Sequence, residues 1–144
     1  MEYRKFNEKY YVRLDKGDEI TSSLIDLCVR ENIRTAQISG IGGCEKAVVG
    51  VFDLAKKEYA REEVCAMLEL ISLDGNVTFY EEKPYIHAHA SFAYHKDGQP
   101  AILTGHLLEA VIGLTGEIIL TPADGKIGRR FIPELGIRVW DFSD

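Results

Sequence analysis

All four histidines of the chain, His87, His89, His95 and His106, fall within Pro84–Leu108. Two apolar-alternating runs, Ile86–Tyr94 and Ala101–Leu108, flank the segment His95-Lys96-Asp97-Gly98-Gln99-Pro100. An Asp-Gly pair between alternating runs is a strong hairpin signal. With Asp97 and Gly98 at the tip, paired residues have numbers summing to 195, which sets His89 directly opposite His106. His87 and His89, two apart on one strand, share a face. Opposed Cβ atoms are about 4.5–5.5 Å apart, with diagonal neighbours only somewhat further, so the spacing predicts three imidazoles on one patch. Ser91 and Thr104 share that face, with Ile102 and Leu108 at its ends. Ile86, Ala88, Ala90, Phe92 and Tyr94, with Ala101, Leu103, Gly105 and Leu107 across from them, form the opposite, core-facing side. His95, beside the turn, reads as a solvated loop residue.

Three converging imidazoles suit a borderline-soft divalent ion. Zinc is the leading candidate and takes His nitrogen at about 2.0–2.1 Å; nickel, copper and iron accept the same donors. Three protein ligands leave a fourth position for water or another molecule. The plainer alternative is that the three are packed or hydrogen-bonded histidines near a subunit contact.

Length and composition describe one ordinary domain spanning residues 1–144, able to bury roughly two-thirds of its unfolded surface. There is no run of about 18 apolar residues to cross a membrane, and the start MEYRKFNEKYY carries no apolar signal core. Cys28, Cys44 and Cys65 are odd in number without C-x-x-C spacing, which suits buried thiols of a cytoplasmic protein. The net charge of −6 is opposite to the basic surplus that draws a domain to nucleic acid.

The elements that must position the histidines read mostly as strands. Tyr10–Leu14 alternates weakly as a first strand. Ile20, Leu24, Leu27 and Cys28 recur at helical spacing between Glu19 and Glu31, with Asp15 or Asp18 as the expected cap. After Thr35–Ile38, the glycines of Ser39-Gly40-Ile41-Gly42-Gly43 suit a bulge or tight turn, since no helix follows to make a phosphate cradle. Strands at Ala47–Phe52, Lys57–Arg61 and Cys65–Leu73 come next, and Asp74-Gly75-Asn76 carries a turn signal. Val111–Leu120, mostly apolar with little alternation, is expected to be covered on both faces, with another subunit as a candidate for the second. An alternating strand, Gly136–Phe142, closes the chain. The expected class is α/β (α+β), a mainly antiparallel twisted sheet covered by one main helix.

Several stretches together resemble the PPC (plant and prokaryote conserved) domain. They are Ser39-Gly40-Ile41-Gly42, Leu70-Ile71-Ser72-Leu73-Asp74-Gly75-Asn76, His87-x-His89, Gly105-His106-Leu107 and Phe131-x-Pro133-Glu134-Leu135-Gly136. The resemblance covers essentially the whole chain. It implies a compact α/β fold and a homotrimer in the stand-alone prokaryotic proteins, with His87, His89 and His106 at the family's metal position. It also carries a DNA-binding label, because in land plants the domain is fused to AT-hook motifs. An AT hook needs an Arg-Gly-Arg-Pro-like core for the minor groove. The nearest approach here is Gly128-Arg129-Arg130, in the one compact basic cluster. Lys126, Arg129 and Arg130 are thus the candidate nucleic-acid contacts, or the arginines pair with carboxylates across a subunit boundary.

Two function classes follow. One is a trimeric, metal-binding regulatory module with DNA or a protein as partner. The other is a hydrolase-like metalloenzyme using a zinc-bound water, for which Glu109 or Glu69 would be the general base. A third reading keeps the metal purely structural, fastening the fold or the trimer.

Overall fold

The computed structural model describes residues 1–143. Nine strands and one helix follow the order β1 (Glu2–Phe6), β2 (Lys9–Asp15), α1 (Ile20–Arg30), β3 (Ala36–Asp53), β4 (Glu58–Val64), β5 (Leu68–Tyr80), β6 (Lys83–Lys96), β7 (Gln99–Pro122), β8 (Gly128–Ile132) and β9 (Ile137–Asp141). The expected balance of helix and sheet shifts well toward sheet. Among the described residues, no helix is long and apolar enough to cross a membrane.

Seven strands form one antiparallel sheet in the order β1-β2-β7-β6-β5-β3-β4, and β7 also pairs with β3. That extra pairing joins β3, β5, β6 and β7 into a closed ring, which removes most free edges. Closure is possible because β7 is long enough to change partners. Its first part pairs with β6 as far as His89↔His106. From Gly50↔His106 onward it runs along β3. Irregularities in β3 at Gly40/Gly42, Gly42/Cys44 and Cys44/Lys46 let the long strand bend.

The interior of the ring is filled by Phe92, Leu103, Leu70, Leu73, Ile38 and Ile118, all almost fully buried. α1 turns Ile20, Leu24, Leu27 and Cys28 inward and packs on β6 and β7. Its cap is Glu19, not Asp15 or Asp18: the Glu19 carboxylate accepts from the Thr21 and Ser22 amides at 3.0 and 2.7 Å. Asp18 instead accepts from the Asp15 amide and pairs with the N-terminal ammonium.

Three further expectations are corrected. β2 is the second strand, because Asn7, with φ of 53°, turns β1 back onto it. Asp74-Gly75-Asn76 is no turn but the middle of β5, paired with β6. Gly75 is there because a Cβ would come within 2.4 Å of the His87 carbonyl oxygen. The turn falls at Glu81-Glu82, both with positive φ. Of the cysteines, Cys28 and Cys44 are buried and Cys65 is exposed; burial pushes the two inner thiols up to about 12. Within the single chain, Val111–Leu120 is enclosed on one face, by Ile112, Ile118 and Leu120, while Leu114 is 63% exposed.

Candidate metal centre

The β6–β7 hairpin turns at Asp97 and Gly98, with φ of 53° and 77°, and its register sums to 195 throughout, as the sequence predicts. His87, His89 and His106 therefore meet on the outer face of the ring. Their ring centroids lie 5.0–5.5 Å apart, and one ligand nitrogen from each falls within 4.8 Å of the others. Small side-chain rotations would bring such nitrogens onto one ion. His95 is exposed at the hairpin end and stands apart.

His106 is the pivot. It pairs with His89 on one side and with Gly50 on the other, at the point where β7 changes partners. The Tyr59 ring of β4 stacks on it, centroids 4.7 Å apart and 24° from parallel. The His106 Nδ1 is buried without a hydrogen-bond partner. A polar atom left this way costs on the order of 1–3 kcal/mol, a cost that a bound metal ion would relieve.

Burial, then the neighbouring His87, His89 and Arg129, pushes the His106 imidazole down to about 4. Burial, Arg129 and His89 push His87 down as well. Both rings are neutral at neutral pH, so their lone pairs are available without displacing a proton. The donor set, its exposure and its unsatisfied nitrogen fit a divalent ion.

β5 supplies the neighbours that a turn reading hid. Asp74 stands opposite His89 and Asn76 opposite His87. Asp74 accepts a hydrogen bond from Ser72, and Ser91 and Thr104 are bonded at 2.8 Å on the next row. The alternation of Leu68 and Leu70 changes phase at the Leu70/Ser72 irregularity and resumes as Leu73, Gly75 and Val77, and the Asp-Gly-Asn triplet masked it.

Glu109 and Glu69 both lie outside the three-histidine group. Glu109 accepts from Lys46 at 2.9 Å, and Glu69 is exposed opposite Ala93.

The basic cluster divides. Arg129 is only 9% exposed and faces inward. Its Nε donates to Thr78 Oγ1 at 2.7 Å, Nη2 to Asn76 Oδ1 at 3.0 Å and Nη1 to the Arg138 carbonyl at 3.1 Å. Its guanidinium carbon sits 4.5 Å from the Tyr85 ring centroid. Lys126 is paired with Glu82, while Arg130 is exposed. A groove of about 730 Å³ lies beside the histidines rather than over them, and Tyr11, Ile41, Ile71, Asp74 and Ile119 line it.

Solved structures resemble the chain over nearly its whole length. A metal-containing protein from Archaeoglobus fulgidus is 32% identical, with a TM-score of 0.84 and 96% of each chain covered. A protein from Bacteroides thetaiotaomicron, provisionally described as DNA-binding, is 29% identical, with a TM-score of 0.91, covering 98% of this chain and 96% of its own. A plant- and prokaryote-conserved protein from Pyrococcus horikoshii is 29% identical, with a TM-score of 0.84, covering 99% and 95%. Comparison with curated proteins found no match. Residues 1–124 match the model of the Plants and Prokaryotes Conserved (PCC) domain, which ends before the Phe131–Gly136 stretch. With that match spanning β1 to β7 and including the histidine hairpin, the chain belongs to the plant- and prokaryote-conserved domain family.

Proposed function

We propose that this chain acts as a homotrimeric regulatory binding module built around a divalent metal ion, most simply zinc, held by His87, His89 and His106. The observation that carries the reading is the meeting of three ring nitrogens within 4.8 Å. The buried, unpartnered Nδ1 of His106 and the metal-containing Archaeoglobus relative support it. A divalent ion bound through three nitrogens keeps a position for one further donor and acidifies water bound there. The chain's own residues do the rest. Tyr59 fixes the plane of the His106 ring, and the lowered basicity of His87 and His106 keeps protons from competing. Elemental analysis of the purified chain, with one ion per chain expected, tests this directly.

Trimer formation is supported by the family resemblance and by the apolar outer face, where Ile41 and Ile71 are 55% and 56% exposed. A monomer exposing such a contiguous strip would be unusual. DNA as a partner is a second reading, favoured by the description of the Bacteroides relative. With Arg129 turned inward and Lys126 paired, Arg130 would be its main contact. A mobility shift that weakens steeply with salt tests it; no shift at low salt leaves a protein or small-molecule partner.

A further inference from the structure

Arg129 is a buried cation without a counter-ion. Among the described residues no carboxylate acts on it: its surroundings are Thr78, Asn76, the Arg138 carbonyl and the face of Tyr85. Burial lowers its affinity for the proton, and only Tyr85 opposes that effect. A guanidinium has five N–H donors, and three are used here, so two remain. Uncompensated buried charge is costly, so an anion arriving beside Arg129 would be stabilised.

The position of Arg129 says where that anion would sit. Asn76, which holds its Nη2, is the strand partner of His87, and Tyr85 lies two residues before His87 on the same face of β6. Its charge is felt at both His87 and His106. A divalent ion on three neutral imidazoles, beside a fixed guanidinium, makes a strongly positive site. The nearest carboxylate in register, Asp74, is engaged by Ser72. Arg129 comes from the β8–β9 hairpin, beyond the 1–124 stretch that defines the family match, and Trp140 of that hairpin donates to the same Asn76 oxygen at 3.4 Å.

We propose that the open position beside the three histidines takes a small oxyanion, a carboxylate or phosphate group, whose second oxygen is held by Arg129. This rests on the metal reading above. The planar fork of a guanidinium matches both anions. The strands carrying the histidines thus provide the ion, and the C-terminal hairpin provides the selectivity for negative ligands.

The test uses the full chain loaded with cobalt(II), whose visible absorption reports the ligand set. Inorganic phosphate and acetate are titrated separately, with imidazole as a neutral comparison. In the natural chain both anions are expected to change the spectrum. Arg129→Gln should raise the anion concentration required about tenfold or more while leaving the imidazole titration unchanged. Asn76→Asp gives Arg129 a carboxylate in place and keeps the hairpin's anchor. Starting from an unchanged spectrum, it should cause a similar loss. The anion showing the larger Arg129 dependence identifies the ligand class. Anion affinities equal in all three chains, with the cobalt spectrum intact, overturn the inference and leave the metal reading standing. A chain that takes up no cobalt overturns the metal reading itself.

Discussion

The ring of Tyr59 lies on that of His106, 4.7 Å between centroids, because Gly50 separates them by backbone alone. A Cβ on Gly50 would approach Tyr59 Cβ and Cδ1 to 2.9 Å. Gly50 is also the β3 partner of His106. One missing side chain therefore lets β4 press an aromatic ring onto the residue where β7 changes strands.

Gly50→Ala is accordingly expected to displace Tyr59 and to free the His106 ring. Overpacking of this kind costs about 1–3 kcal/mol, read as a lower melting temperature, and metal affinity should fall severalfold. Tyr59→Leu should lower metal affinity without the clash. Unchanged metal binding in both variants would show that the stack does not orient His106.

Acid should destabilise the metal-free chain through His106. Its folded value is about 4, against an ordinary value near 6.5 for an unfolded histidine. Between these two values the unfolded chain binds the extra proton, so stability rises with pH across that window. The contribution is complete above about 6.5 and is lost as pH falls toward 4. Its ceiling is about 1.4 kcal/mol per pH unit. Denaturant melts of the chelated protein at several pH values measure it, and His106→Gln should flatten the slope between pH 4 and 6.5. A slope unchanged by that variant would assign the acid sensitivity to other groups.

Ile71→Glu places a charge on the apolar outer strip where Ile71 is 56% exposed. A trimer closed over this face should fall to monomers, measured by light scattering after gel filtration, with the monomer still folded by circular dichroism. A natural chain that is itself monomeric, or a variant that remains trimeric, would contradict that use of the face.

The hairpin was legible because its register is a local property. Asp97 and Gly98 fix the turn, and period-two alternation then places His89, His106 and Phe92 without knowledge of any other strand. The helix was legible for the same reason, from Ile20, Leu24, Leu27 and Cys28. What stayed hidden depends on long-range pairing. Asp74-Gly75-Asn76 reads as a turn until β6 lies beside it and occupies the space a Gly75 Cβ would need. The true turn, Glu81-Glu82, has two positive φ values without a glycine or asparagine to announce them. Of Val111–Leu120 the single chain encloses only Ile112, Gly116, Ile118 and Leu120, because β7 sits in a ring with one interior. Arg129 looked like a surface cation because nothing local shows that β8 folds onto Thr78 and Asn76, about fifty positions earlier in sequence.

The most direct measurement is metal content by elemental analysis, made on the purified chain beside its His106→Ala variant, both verified as folded. One divalent ion per chain, reduced to near zero by that single substitution, is the result expected if three imidazoles hold it. Full stoichiometry in the variant would mean that His106 is not a ligand, and the centre described here would have to be abandoned.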